Sequence, residues 1–175
     1  ILTPGGRRPI ETLAPGDLVW TRNDGAQELR WTGKRRVCGL GSLAPVRIAA
    51  GVFGNRRPVL VSPQHRILLS GWRAQLYFGE DEVLAAALHL VDGAAVQVMP
   101  RAEVDYVHIA FDRHQIVCAE GMLTESLYPG QMALAALPPA ARRELAEIFP
   151  ELAGGMAVQA ARRFLTGREA GLMRA

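Results

Sequence analysis

The segment Ser62-Pro63-Gln64-His65 puts a hydroxyl and an imidazole at the two ends of a short polar insert, between the apolar runs Val59-Leu60-Val61 and Ile67-Leu68-Leu69. Imidazole, with an ordinary pKa of about 6.5, holds and releases a proton near neutrality. Pro63 bends the chain, so the Ser62 hydroxyl can turn toward the same small volume. General acid catalysis from such a position is worth roughly 100- to 10,000-fold. The plainer alternative makes His65 a strand-end residue bonded to a carbonyl and Ser62 a turn starter. His114 lies far along the chain in a different strand-like segment, and Asp112, two residues earlier, is of a type that orients an imidazole. His65, His114 and Cys118 have the ligand types of a three-ligand zinc site, but no local ligand pair supports one. No metal and no cofactor are expected. Cys118 reads as a small buried hydrophobe, with a redox role as the minor alternative, and Cys38 as an exposed loop thiol. His89 and His108, in apolar runs, read as half-buried residues without a role.

The elements that must position these groups are short. From Ile1 to about Gly130 the chain alternates β-branched or apolar segments with turn residues. A Pro-Gly turn follows the first strand, Pro15-Gly16-Asp17 makes a second turn, and Asn23-Asp24-Gly25 reads as a hairpin turn between "LVWTR" and "AQELRWTGKRRV". The alternation in Glu28-Leu29-Arg30-Trp31 has the period of a half-buried strand. "PVRIAAGVF", "AVQVMP", "VDYVHIAF" and "HQIVCAEGML" continue the pattern. Past Pro129-Gly130 the composition shifts to Ala, Leu, Arg and Glu. "LPPAARRELAEIFPEL" carries Leu145, Ile148, Phe149 and Leu152 on one helical face. "MAVQAARRFLTGREAGLM" carries Val158, Ala161, Phe164 and Leu165 at compatible spacing, with Arg142, Arg143, Arg162 and Arg163 on solvated helix faces. The expected architecture is a mostly β domain over 1–130 with a C-terminal α-helical extension over 131–175.

Composition narrows the function classes. The chain has 175 residues, 49% hydrophobic, enough for one real core. The net charge of +3 comes from scattered arginine rather than a basic run, and no basic stripe interleaves with aromatics as a base-stacking surface requires. Nucleic acid is not an expected partner. No apolar stretch has the length of a membrane span, so no membrane partner is expected either. Two cysteines make no disulfide framework, and the redox compartment stays open.

Three ordered blocks resemble the Hint domains, the autoprocessing fold shared by inteins and the C-terminal part of Hedgehog proteins. The opening "ILTPGGRRPIETLAPGDLVWT" is similar to the family's first block, with Ile10-Glu11-Thr12-Leu13-Ala14-Pro15-Gly16-Asp17-Leu18-Val19 fitting an I-E-x-L-x-x-G-D-x-V segment. "VSPQHRILL" resembles the second block, a Thr-x-x-His in which Ser62 stands for the threonine and His65 for the histidine. "YVHIAFDRHQIVCAEGML" is similar to the late block, placing His114 on its histidine and Gly121 on its glycine. Together the blocks span about residues 1 to 127, and their wording resembles bacterial Hint-type domains of larger, often exported, proteins.

The resemblance implies a compact Hint-like β fold and a self-processing activity. A nucleophilic cysteine, expected a few residues before Ile1, attacks the carbonyl preceding it. His65 protonates the departing nitrogen, and Ser62 orients or twists the amide. His114 assists thiol deprotonation or binds the developing oxyanion. Residues 1–175 alone, lacking that cysteine, are expected to be folded and inert. Inteins end in His-Asn, and Glu125 and Ser126 occupy those places here, so cleavage at the N-terminal junction is expected without full splicing. The partners implied are the domain's own N-terminal flanking polypeptide and water or a thiol as acceptor, in a monomer. A sterol acceptor is not carried over, because nothing in residues 131–175 resembles a sterol-recognising region. The alternative is a non-catalytic Hint-fold interaction or structural module of a larger secreted protein; secretion or cell-surface display within such a parent is one option for its location.

Overall fold

A computed structural model describes residues 1–127 and 159–174. The helix expected within 138–152 lies outside the described residues. The chain divides into two compact units that interleave in sequence, one from 1–34, 107–117 and 126–161, the other from 35–106, 118–125 and 162–175.

The first unit opens with a hairpin, β1 (Leu2–Thr3) and β2 (Gly6–Arg7). Its ends are closed by Arg8 N–H donating to Ile1 O at 2.9 Å and the Ile1 nitrogen donating to Arg8 O at 2.7 Å. A 3-10 turn at Ile10–Thr12 follows. β3 (Leu18–Thr21) and β4 (Gly25–Glu28) form the expected hairpin, with Thr21 opposite Gly25. Gly25 has φ +68, the left-handed backbone such a tight turn demands. β12 (Ile116–Ala119) pairs with β3 antiparallel through Val117 and Thr21. Val19, Leu29, Ile109 and Val117 share one core, capped by Leu13 and Phe111, but Leu29 and Arg30 lie outside any strand, so the single strand expected over 26–37 is interrupted there. Each aliphatic side chain of this kind contributes roughly 1.5–3 kcal/mol when removed from water.

The second unit holds a three-stranded sheet in the order β10 (Val96–Val98), β6 (Val46–Ile48), β7 (Val59–Val61). Four further strands lie in the order β14 (Arg163–Leu165), β9 (Glu82–Ala86), β8 (Arg66–Ser70), β13 (Met122–Glu125). Helix α1 (Trp72–Phe78) links β8 to β9, and its buried Ala74 joins a core that includes Ile48, Ile67, Val83, Val96 and Met122. The long strands β5 (Trp31–Gly39) and β11 (Arg101–Ala110) pair with each other, and each supplies residues to both units. Cys38 is exposed as expected, but on β5 rather than in a loop.

The described end of the chain corrects the reading of 156–173 as one helix. Residues Arg163–Leu165 form β14, parallel to β9 with Arg163 opposite Val83 and Leu165 opposite Ala85. Helix α2 (Gly167–Arg174) begins only after it. The strand wins because β9 offers a row of backbone donors and acceptors that a neighbouring segment satisfies. The Arg162 guanidinium then pairs with Glu82 at 2.7 Å instead of lining a helix face. Thr166 stops the strand and starts the helix: its N–H and hydroxyl donate to the Glu169 carboxylate at 2.8 and 2.9 Å, and its Oγ1 accepts from Glu169 N–H. This is a reciprocal capping box. The mostly β architecture with a short C-terminal helix is otherwise as expected.

Candidate active site

Ser62 and His65 bracket a single turn between β7 and β8. His65 N–H donates to Ser62 O at 3.1 Å, closing the turn that Pro63 initiates. The turn is pinned from outside as well: Ala87 N–H donates to His65 O at 2.9 Å and Leu88 N–H to Pro63 O at 3.0 Å. His65 therefore sits on backbone held at both ends. The Ser62 hydroxyl makes no hydrogen bond among the described residues, and the two side chains of the expected pair are joined only through the backbone.

The hydroxyl that reaches the imidazole is Thr124. Its Oγ1 contacts His65 Nε2 in a short hydrogen bond, and it donates to Arg66 O at 2.8 Å. The antiparallel register of β13 on β8, with Thr124 opposite Ile67, brings a residue 59 positions away against the turn. Thr124 is 2% exposed, so water does not compete for the contact. Next to it, the buried Glu125 carboxylate accepts from Arg66 N–H at 3.0 Å and from the Arg66 guanidinium at 3.2 Å. That guanidinium lies 4.0 Å over the Phe164 ring, a cation–π contact that holds its plane.

His114 belongs to the first unit and is 5% exposed. Its Nδ1 accepts a hydrogen bond from Ala161 N–H at 3.0 Å. A nitrogen that accepts carries no hydrogen, so neutral His114 bears its proton on Nε2. Its neighbour Gln115 receives two anchors: the amide N–H donates to Ser126 Oγ at 3.0 Å and the side chain to Asp24 Oδ2 at 2.7 Å. Asp112 does not orient an imidazole. Its carboxylate accepts both Nε and a terminal nitrogen of Arg30 at 3.0 Å, a bidentate geometry that fully engages it.

A family model described as a Hint domain matches residues 1–131. The chain belongs to the Hint domain family. Two crystal structures of the MchDnaB-1 intein are similar to it at 13% and 15% identity, with TM-scores of 0.45 and 0.43. They cover 71% and 70% of this chain, and 93% and 92% of their own chains are spanned. No curated protein matches the chain.

Within this Hint domain the first block is structural. Asp17 accepts the Arg8 guanidinium at 2.9 Å and Ala14 N–H at 2.8 Å, which holds the turn before β3. The Arg8 hydrogen bond, helped by that backbone donor, keeps the Asp17 carboxyl below its ordinary value. The late-block glycine is structural too: Gly121 has φ +100, and a Cβ there would lie 2.6 Å from Gly54 O. Glu125 and Ser126 are committed to Arg66 and Gln115 as above. The residue that motif reading did not single out is Thr124. Its signal in sequence is only a buried-strand threonine in "GMLTES", and nothing local ties it to a histidine 59 residues earlier. Among the described residues, no three His, Cys, Asp or Glu side chains gather as a metal site requires, and no helix is long and apolar enough to cross a membrane.

Proposed function

We propose that this Hint domain cleaves the peptide bond at its N-terminal junction by an acyl shift, without splicing its flanks. A cysteine upstream of Ile1 attacks the carbonyl carbon that precedes it. The thiol gives up its proton to water as it attacks, the carbon–nitrogen bond breaks, the nitrogen takes a proton from the His65 imidazolium, and the acyl chain rests on sulfur as a thioester. Water or a thiol then releases it. An amide resists this attack because resonance stabilises its carbonyl and its nitrogen leaves poorly, so the proton from His65 is the central contribution. The observation that carries the reading is the His65 turn, anchored at both ends and bonded through its ring to a buried hydroxyl.

Two further observations support its details. Ser62 heads the same turn with its hydroxyl uncommitted among the described residues, which suits a group that orients the scissile amide. His114, with Nδ1 occupied by Ala161 N–H, is suited to donate from Nε2 to a developing oxyanion rather than to take a proton. Removing one such donor typically costs about 2.7–4 kcal/mol of transition-state stabilisation. Cleavage stops short of splicing because Glu125 and Ser126 supply no asparagine to cyclise.

The test restores the upstream segment with a fused reporter and follows release of the reporter with and without added thiol. Release that thiol accelerates and that His65→Ala abolishes is expected. A reporter that stays attached under every condition overturns the proposal in favour of a non-catalytic Hint module.

A further inference from the structure

The contact between Thr124 and His65 has a direction. A hydroxyl has one hydrogen to give and a backbone carbonyl can only accept, so the 2.8 Å bond from Thr124 Oγ1 to Arg66 O uses the threonine's single hydrogen. The short hydrogen bond between Thr124 Oγ1 and His65 Nε2 then requires the ring to be the donor. Nε2 carries a hydrogen, and in the neutral imidazole the lone pair is on Nδ1. The arrangement is rigid on both sides. Thr124 is 2% exposed and sits in register opposite Ile67, while Glu125 holds the Arg66 N–H at 3.0 Å, fixing the peptide that flanks the acceptor carbonyl.

We infer that Thr124 is a positioning residue that sets the tautomer of His65, so that the imidazole exchanges its catalytic proton through Nδ1. The consequence for cleavage rests on the function proposed above; the tautomer does not. In the imidazolium both nitrogens carry hydrogens. Loss of the Nδ1 proton to the departing nitrogen returns the ring to the neutral Nε2–H form, the one the threonine already holds. No tautomer exchange or ring flip is needed between protonation states. A hydrogen bond that fixes which ring nitrogen is protonated acts in the same way on metal-bound histidines.

The experiment uses the full 175-residue chain labelled with nitrogen-15. Long-range proton–nitrogen correlations of the ring report which nitrogen of His65 carries hydrogen above its titration. The wild type and Thr124→Ser are expected to show Nε2–H. Thr124→Val, nearly isosteric but without the hydroxyl, is expected to lose that preference, and Thr124→Ala serves in its place if the amide spectrum shows the valine variant unfolded. An Nδ1–H ring in the wild type, or an unchanged Nε2–H ring in the folded hydroxyl-free variant, overturns the assignment. In the reporter fusion, Thr124→Val is expected to slow release about tenfold or more, within the range of general acid catalysis, with Thr124→Ser restoring it. A wild-type fusion that never cleaves sinks the proposed function while the spectrum still decides the tautomer.

Discussion

Glu125 holds Arg66 twice, one carboxylate oxygen accepting both the backbone N–H at 3.0 Å and the guanidinium at 3.2 Å. This single residue ties β13 to β8 beside the His65 turn. A side chain committed in this way holds two strands together.

Glu125→Ala is therefore expected to destabilise the domain. The side chains are 7% and 26% exposed, between fully buried pairs, whose breakage costs about 3–5 kcal/mol, and exposed ones, worth about 0–1 kcal/mol. A loss of about 2–3 kcal/mol should appear as a lower urea midpoint at unchanged slope. Glu125→Gln, which keeps an acceptor for the backbone N–H, should lose less. A midpoint indistinguishable from wild type in both variants would contradict the role.

Asp17 should make the stability of the first block depend on acid. Its folded pKa lies below the ordinary 3.8, chiefly through the Arg8 hydrogen bond. A depressed carboxyl stabilises the fold in full above its unfolded value, and that contribution disappears as pH falls through the folded value. Asp17→Asn should melt below wild type at neutral pH, and the gap between the two should close as pH drops below about 4. A gap that stays constant across that window would show that the charge on Asp17 does not matter.

Gly33→Ala should disturb the packing of Trp31 although the Gly33 backbone is not left-handed. A Cβ at Gly33 would lie 2.1 Å from Cη2 of Trp31, which is itself 2% exposed. The ring must shift, and overpacking of this kind costs about 1–3 kcal/mol. Denaturation followed by tryptophan fluorescence would register both the lower midpoint and a changed native spectrum.

Thr166→Ala removes the capping box of α2. A lost cap of this type costs about 1 kcal/mol. Faster amide exchange is expected within α2, with β8 and β9 unaffected. Uniform exchange rates in variant and wild type would argue against the cap.

Much of this protein was legible before its structure. Asn23-Asp24-Gly25 announced the hairpin between β3 and β4, and alternation in "LVWT" and "VDYVHIAF" marked strands whose inward residues form the first core, because a period of two reports one buried face directly. At the chain's described end, the helical spacing around Thr166 drew the helix boundary too early. The edge of β9 that claims Arg163–Leu165 is invisible in the segment it pairs with.

The sequence by itself determined the family, the strand-rich architecture and the turn that presents His65, all of which rest on contacts within a few residues or on block patterns. Tertiary structure decided which hydroxyl serves that histidine. Ser62 is three residues away and bonds it only through the backbone, while Thr124 reaches the ring across 59 residues of chain. The physical reason is register: pairing of β13 on β8 fixes which side chain stands opposite the turn, and a shift of one residue would turn Thr124 to the other face of the sheet. The engagement of Asp112 by Arg30, 82 residues apart, belongs to the same class of fact, since partners that distant are chosen by how strands pair and not by what lies beside them in the chain.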